Sequence, residues 1–297
     1  MTEPDPYRAV KDIFAGTAGG IAQVLSGQPF DTTKVRLQSA PPGRYTGALD
    51  VAKQLVKTEG PAAFYKGTLT PLIGVGAAVS TQFGVNEATK RFFFAYNKSQ
   101  GHDDHRLSSI QFYMCGMAAG LASAFITGPI EQVRIRLQTQ SATNPQFKGP
   151  LDCMKQIIAA SGVKGIFRGI TPTLIREGHG MGMYFLAYEA CLKEYCYKHN
   201  CERKDVSGAW LCGFGAMAGY AMWLSIYPSD VVKSRMQTDA LETTKQAYKT
   251  TWACTKQLYK EMGVSVFFKG ISTTLLRAAP VNAATFLSFE YALRMLD

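Results

Sequence analysis

Hydrophobic residues gather into long uncharged runs, separated by shorter polar and basic stretches. The runs at residues 67–86, 107–130 and 206–229 contain no charged side chain. Each has at least the roughly 20 residues that an α-helix needs to cross the hydrocarbon core of a bilayer. The pattern therefore predicts three membrane-spanning helices.

Three further apolar segments are less complete. The uncharged run at residues 14–30 is 17 residues long, and the segments after Gly169 and Gly270 are interrupted by Arg176 and Glu177 and by Arg277. An ionisable group in mid-span costs about 3 kcal/mol on insertion scales. We therefore expect these charges to face a wet interior and to take part in function.

An internal repeat makes these weaker segments the equivalents of the strong ones. The blocks PFDTTKVRLQ, PIEQVRIRLQ and PSDVVKSRMQ begin at Pro29, Pro129 and Pro228. Three copies in register indicate one domain, 1–297, built from units at about 10–98, 107–199 and 206–297. The alternative is a soluble helical solenoid, but its units would be far longer than the roughly 33 to 47 residues typical of such repeats.

Paired glycines precede each block, and an aromatic-base-glycine sequence follows it. Two small residues one helical turn apart let neighbouring membrane helices approach closely. The pairs are Gly16/Gly20, Gly116/Gly120 and Gly215/Gly219, and the following sequences end at Gly67, Gly169 and Gly270.

The positive charge lies in one part of each repeat. Residues 31–66, 131–168 and 230–269 hold 19 of the 32 Lys and Arg but 9 of the 22 acids, so they carry the whole net charge of +10. Six alternating spans would place these three loops on one side, as the positive-inside rule describes. Each loop should contain a short amphipathic helix, near residues 51–58, 151–159 and 249–260.

Other classes of protein fit the residues poorly. The seven cysteines form no CxxC pair and the four histidines show no metal-ligand spacing, so we expect no metal site. No glycine loop of the phosphate-binding type indicates an enzyme. A soluble, basic nucleic-acid-binding repeat would leave the bilayer-length runs unexplained. The first residues resemble neither a secretory signal nor a transit peptide, so targeting would be internal.

The repeated block has a direct physical interpretation. A proline inside a long apolar helix removes a backbone hydrogen bond and kinks the helix, which lets three helices converge. Acid and base three residues apart share a helix face. The block therefore predicts a ring of interhelical ion pairs, with three solvated pairs as the alternative. Its members are Asp31, Lys34, Glu131, Arg134, Asp230 and Lys233.

This threefold motif resembles that of the mitochondrial carrier family, over residues 10–297. The resemblance implies an all-α membrane protein with six transmembrane helices in a pseudo-threefold barrel and three short matrix helices. It also implies a monomer in the mitochondrial inner membrane, with both termini facing the intermembrane space. One central site would be exposed alternately to each side, and the ion-pair ring would be the matrix gate. Asp31 would pair with Arg134.

The resemblance assigns further residues to the two gates. Gln38, Gln138 and Gln237 would be braces that hydrogen-bond across the matrix ring. A second, cytoplasmic gate matches less well, because Asn86 replaces an aromatic residue and two bases stand one residue late. Its members would be Glu87, Lys90, Glu189, Lys193, Glu290 and Arg294.

Cargo positions are also implied by the family pattern. Arg176, Glu177 and Arg277 are the charged ones, and Gln82 and Tyr184 are polar. One acid with two bases suits a small zwitterionic cargo, an amino acid or a carnitine-like molecule, because Arg277 can hold a carboxylate and Glu177 an ammonium. Nucleotide or keto-acid transport is the alternative within the family. ADP/ATP carriers have arginine at the position of Gly74.

No catalytic cofactor is expected, but the family pattern implies structural cardiolipin. Helix N-termini offer free N–H groups to phosphate, and nearby basic loops add attraction. An ordinary helix start is the alternative explanation of each motif. The glycines concerned are Gly47, Gly67, Gly149, Gly169 and Gly270.

Overall fold

The computed structural model describes residues 8–41, 43–101, 107–141 and 145–296. These residues form six long and three short α-helices and no strand. In chain order the helices are Arg8–Ser39 (α1), Ala48–Glu59 (α2), Leu69–Ser99 (α3), Ser109–Thr139 (α4), Pro150–Ser161 (α5), Ile170–His199 (α6), Gly208–Thr238 (α7), Thr251–Met262 (α8) and Ile271–Leu296 (α9).

The element order repeats three times. Each repeat has a long helix with an internal proline (α1, α4, α7), a short helix (α2, α5, α8) and a second long helix (α3, α6, α9). The short helices occur where the sequence predicts them. Each is followed by a glycine with positive φ, at 78° for Gly60, 66° for Gly162 and 70° for Gly263. Glycine adopts this backbone conformation without strain, which lets the chain turn sharply.

A one-turn 3-10 helix follows each of these glycines and was not predicted. The three are Pro61–Tyr65, Val163–Phe167 and Val264–Phe268. Apolar side chains of the second and third of them pack against the short helix and the preceding long helix. They carry the chain from the basic loop back to the start of the second long helix.

The long helices form a ring with unequal packing. Extensive contacts join α3 to α4, α4 to α6, α6 to α7 and α9 to α1. By contrast, α1 contacts α3 over a short length, and α7 barely touches α9 among the described residues. The wall of the barrel is therefore tightest around the second repeat.

Glycines explain the tight packing of the second repeat. A Cβ atom built on Gly120 would lie 2.1 Å from the carbonyl oxygen of Glu177, and one on Gly116 would lie 2.5 Å from that of Met181. The prediction for the other two glycine pairs was wrong. Gly16, Gly20 and Gly219 have no heavy atom of another residue near the Cβ position, and Gly215 meets only the hydroxyl of Tyr184, at 3.5 Å.

Two long helices, α4 and α7, have the length and composition to cross a membrane on their own. A third candidate is the pair of segments Pro61–Gly74 and Gly76–Ser99, which meet at a bend of 46°. These three contain the uncharged runs of the sequence. Of the other long helices, α1 contains the shorter uncharged run, and α6 and α9 are interrupted by Arg176 and Glu177 and by Arg277.

Candidate gate and cargo site

Three ion pairs join the proline-containing helices α1, α4 and α7 into a closed ring at the end where the basic loops lie. Asp31 on α1 meets Arg134 on α4 at 2.8 Å, as the family's pairing order predicts. The other two pairs, also at 2.8 Å, join Glu131 to Lys233 and Asp230 to Lys34. Each carboxylate pairs with the base of a different repeat. The alternative of three solvated pairs within single helices is therefore wrong.

The ring surrounds a cavity of about 210 Å³. Its third-repeat members are the driest, since the Asp230 and Lys233 side chains are 5% and 4% exposed, whereas those of Asp31 and Glu131 are 21% and 22% exposed. Desolvation of buried ions offsets much of their attraction, so such pairs contribute little net stability. A ring of this kind can hold three helices together and still open at moderate cost.

Aromatic rings shield one of the three pairs. The ammonium of Lys34 lies 4.5 Å from the ring centre of Trp223 and 5.2 Å from that of Tyr227. Cations over aromatic faces are attracted by the ring quadrupole. The Lys34–Asp230 pair thus has contacts that the other two pairs lack among the described residues.

The predicted cargo arginines contact this ring directly, which the sequence did not indicate. Arg176 donates to Glu131 at 2.6 Å and to Glu177 at 2.5 Å. Arg277 donates to Asp31 at 3.0 Å. The gate carboxylates Asp31 and Glu131 therefore each bind one ring base and one candidate cargo arginine. Glu177 and Arg277 themselves are not in contact.

The remaining polar cargo candidates lie elsewhere. Gln82 donates to Ser123 on α4 at 3.1 Å, and the hydroxyl of Tyr184 lies close to α7 beside Gly215. Neither contacts the three charged candidates. Gly74 packs against Ile130, whose side chain fills the space that a larger residue at position 74 would need.

Of the predicted glutamine braces, Gln38 alone hydrogen-bonds to a member of the ring among the described residues. Gln38 donates to Asp230 at 3.2 Å and thereby supports the Lys34 pair. Gln138 instead donates to the hydroxyl of Thr32 at 3.3 Å. Gln237 packs against Gly169, and its buried amide oxygen has no partner in the described part of the chain. The three side chains start from equivalent positions, but their neighbours differ from repeat to repeat.

The residues proposed for the second gate are not joined across repeats in the described structure. Glu87 pairs with Lys90 at 2.8 Å and Glu290 with Arg294 at 2.9 Å, in both cases one turn apart on one helix. Glu189 pairs with Arg203 in the α6–α7 connection at 2.8 Å. Lys193 donates to Ser109 of its own repeat at 3.2 Å. The ring is thus closed at the basic-loop end, and these six residues form no equivalent ring at the opposite end.

Two of the glycines assigned to lipid have a clear packing role. Gly169 and Gly270 are buried and adopt φ of 77° and 85°, beside the side chains of Gln237 and Tyr227. Gly67, with φ of 78°, closely approaches the carbonyl oxygen of Arg134. Gly47 and Gly149 have extended backbones and open space around them. Their helices, α2 and α5, begin without a side-chain cap.

Gln28, missed by the sequence analysis, completes the ring at Arg134. It is fully buried, accepts a hydrogen bond from Arg134 at 2.6 Å and donates to the carbonyl of Lys66 at 2.9 Å. Its position directly before the repeated proline is the only signal that could have drawn attention to it. Tyr227 occupies the same position in the third repeat and donates to the carbonyl of Lys269 at 3.4 Å.

Two carboxylates outside the spanning helices bind arginines at the basic-loop end. Burial raises the pKa of Glu59, but hydrogen bonds from Arg36 and Lys66 outweigh it and hold the pKa below its usual value. For Asp239, burial likewise raises the pKa, while backbone N–H donors and Arg168 lower it by more. Both carboxylates are therefore charged at neutral pH and neutralise guanidinium groups there.

Comparison with known proteins gives consistent results along the whole chain. The profile of the family described as "Mitochondrial carrier protein" matches residues 5–97, 105–199 and 206–297. The mitochondrial glycine transporter YMC1 of Saccharomyces cerevisiae is 54% identical over 98% of this chain and 93% of its own length.

Two further relatives cover similar shares of the chain. The glutamate/glycine mitochondrial carrier ymc1 of Schizosaccharomyces pombe is 48% identical over 95% of this chain and 93% of its own length. The human mitochondrial basic amino acids transporter is 40% identical over 95% and 89%. The threefold repeat, the closed ring of ion pairs and these matches all agree. The chain therefore belongs to the mitochondrial carrier family and is a transporter of six transmembrane helices, not an enzyme.

Proposed function

We propose that the protein carries a small zwitterionic amino acid across the mitochondrial inner membrane by alternating access. The observation that carries the proposal is the contact between the candidate cargo arginines and the gate carboxylates, Arg277 with Asp31 and Arg176 with Glu131. A cargo that binds these arginines competes with the gate for them. Cargo binding and gate opening would therefore be coupled through shared ion pairs.

The charges fit the two ends of an amino acid. Arg277 is 27% exposed and uses one of its terminal nitrogens on Asp31, so other donors remain for a carboxylate. In the described part of the chain Glu177 pairs with Arg176 alone, and Arg176 also pairs with Glu131. An ammonium that binds Glu177 would release Arg176 towards the gate carboxylate. This arrangement favours a cargo with both groups over a keto acid, which lacks the amine.

The relatives support the same class. Their names specify glycine, glutamate with glycine, and basic amino acids. The feature common to these cargoes is the α-amino-acid group, and we propose the same recognition here. The packing of Ile130 against Gly74 disfavours a nucleotide site with an arginine at that position.

The two ends of the barrel differ in how their charged residues pair, and this difference supports alternating access. In this conformation the ring closes the basic-loop end, and the second set of charged residues pairs only locally. We propose that this second set, which includes Glu87 and Lys90, forms the cytoplasmic gate when the ring opens. A carrier moves cargo when the cargo stabilises the occluded state relative to both open states. Exchange and one-way transport both fit this scheme.

The placement in the membrane completes the proposal. The basic loops would face the matrix and both termini the intermembrane space, as the positive-inside rule favours. The monomer would be sufficient, because one chain surrounds its own central cavity. Cardiolipin would bind at the uncapped starts of α2 and α5, beside Gly47 and Gly149. In the third repeat the hydroxyl of Thr250 accepts from Ala253 N, so that site would be weaker.

Uptake into liposomes tests the proposal. Wild-type protein should take up amino acids and not nucleotides, in a screen that also includes carnitine and keto acids. Glu177→Gln keeps the size of the side chain but removes the partner of an ammonium. Loss of one charge-assisted contact should weaken apparent affinity for the amino acid about 10- to 100-fold. Arg277→Ala should have an effect of similar size by removing the carboxylate contact.

The matched control is Glu194→Gln, which removes an exposed carboxylate of the same helix, α6, that pairs only with Lys198 among the described residues and belongs to neither gate. The keto acid distinguishes loss of cargo contact from general damage, because its affinity should not depend on Glu177. Unchanged amino-acid uptake by Glu177→Gln would refute the role of Glu177. Vigorous nucleotide uptake by the wild type would refute the cargo class.

A further inference from the structure

An arginine two residues beyond each gate base links neighbouring repeats at the basic-loop end. Each of the three donates from Nη2 to a backbone carbonyl at the equivalent position of another repeat. The bonds are Arg36 to Gln140 at 3.2 Å, Arg136 to Asp239 at 2.9 Å and Arg235 to Ala40 at 2.7 Å. Together they form a second closed ring outside the gate.

In the first repeat this arginine is fully neutralised. Arg36 binds both oxygens of Glu59, at 2.6 and 2.9 Å, and its Nε donates to the carbonyl of Gln138 at 2.9 Å. Glu59 is the last residue of α2. A two-pronged contact of this type is the strongest that a guanidinium makes with an anion.

The second repeat lacks the corresponding acid. Ser161 ends α5 in the place of Glu59, and its hydroxyl donates to the carbonyl of Leu241 instead. Arg136 is 7% exposed and has one hydrogen bond and no ion pair among the described residues, and its buried Nε has no partner. The carboxylate of Asp239, the residue whose carbonyl Arg136 binds, pairs with Arg168 at 2.5 Å. Burying a cation without a counter-charge costs free energy, so binding of an anion beside Arg136 would be favourable.

Arg136 lines an open cavity of about 650 Å³ between α5 and the segment at residues 239–245. Gln146, Gln156 and Lys245 also line it, together with two carboxylates that already have partners, Asp239 with Arg168 and Glu242 with Lys245. The third repeat differs. Arg235 has no acid partner among the described residues, but both of its terminal nitrogens donate to backbone carbonyls, those of Ser39 and Ala40. Arg136 is therefore the arginine of this set that combines an unmet charge with access to solvent.

We propose that the cavity at Arg136 binds one small soluble oxyanion, a carboxylate or phosphate, from the basic-loop side of the membrane. The anion takes the place that Glu59 occupies beside Arg36 and neutralises the guanidinium by the same two-pronged contact. Because Arg136 holds the carbonyl of Asp239, a bound anion strengthens the link between the second and third repeats. Occupancy thereby favours the conformation in which the gate ring is closed.

Thermal unfolding of the purified full-length chain in neutral detergent tests this site. Inorganic phosphate is titrated at constant ionic strength against chloride. The unfolding temperature of the wild type should rise to saturation with phosphate. Ser161→Glu supplies the missing carboxylate, so it should be more stable without phosphate and should bind phosphate about 10- to 100-fold more weakly. Ser161→Gln has the same length without the charge and should keep the phosphate response.

Two further arms complete the test. Arg136→Gln removes the cation and should abolish the response, which supports the site even if Ser161→Glu folds poorly. In the second arm, cardiolipin in detergent replaces phosphate and is tested on the wild type and on Arg136→Gln. The proposal is overturned if phosphate does not stabilise the wild type, or if it stabilises Arg136→Gln equally. It is also overturned if only the lipid stabilises in a manner that depends on Arg136, because the ligand is then a lipid headgroup and not a soluble anion.

Discussion

The contact between α4 and α6 at Gly120 allows a sharp test of how packing positions the cargo site. A Cβ at residue 120 would lie 2.1 Å from the carbonyl oxygen and 2.6 Å from the carbonyl carbon of Glu177. These are backbone atoms, so no side-chain rotation can relieve the overlap. Gly120→Ala must therefore move α6 away from α4. That shift displaces Glu177 and its neighbour Arg176, which holds Glu131.

The expected magnitude follows from two opposing effects. Alanine is favoured over glycine within a helix by about 1 kcal/mol. Overpacking of a tight interface costs about 1–3 kcal/mol. Gly20→Ala and Gly219→Ala are matched controls, because they occupy the equivalent positions with open space around them. Since all three variants gain the same helix preference, Gly120→Ala should be less stable than either control by about 1–3 kcal/mol.

Thermal unfolding measures this difference through the buried cysteines. Cys115, Cys153 and Cys254 are buried and react with a thiol-specific fluorophore only when the protein opens. A difference of 1 kcal/mol corresponds to about 2–4 °C for a large domain. Amino-acid uptake should also fall in Gly120→Ala and remain near wild type in the two controls. Equal unfolding temperatures and equal uptake in all three variants would refute the packing argument.

Two further predictions concern Asp31 and Glu59, two carboxylates of the first repeat. The double variant Asp31→Arg with Arg134→Asp should transport more than either single reversal, because it restores the ion pair seen at 2.8 Å. Equal loss of transport in all three variants would contradict the gate assignment. Burial raises the pKa of Glu59, but hydrogen bonds from Arg36 and Lys66 lower it by more and hold it below 4.5. The Glu59 carboxylate therefore contributes to stability at neutral pH, and this contribution is lost as the pH falls below 4.5. Thermal unfolding between pH 7 and about pH 3 should therefore depend less on pH in Glu59→Gln than in the wild type, and identical profiles would contradict the proposed role of this ion pair.

The sequence by itself determined the architecture and the members of the gate ring. A ten-residue block repeated at intervals of about 100 residues specifies three equivalent helix pairs. The acid and base of each block share a helix face, and three copies around a pseudo-threefold axis leave few ways to pair. Which base each acid meets came from the resemblance to the mitochondrial carrier family, whose pairing order predicted the contact of Asp31 with Arg134.

Tertiary structure decided the contacts that depend on how individual helices rotate and how closely they approach. Gln38 hydrogen-bonds to a carboxylate of the ring, whereas Gln138 bonds to Thr32 and the amide oxygen of Gln237 has no partner among the described residues, although the three are equivalent in sequence. Likewise Gly120 lies against another backbone and Gly20 does not. Helical periodicity places a residue on a face, but the atoms opposite that face belong to other helices.

The same limit applies to the charges that matter most for function. The spacing of the repeats placed Arg176 and Arg277 on two of the second long helices, but not beside the carboxylates of the gate ring. The unmet charge of Arg136 appears only when its surroundings are compared with those of Arg36. The first finding depends on contacts across 45 and 246 residues of the chain, and the second on contacts across 23 and 103 residues. Such distances are set by the packing of the whole barrel and not by any local sequence pattern.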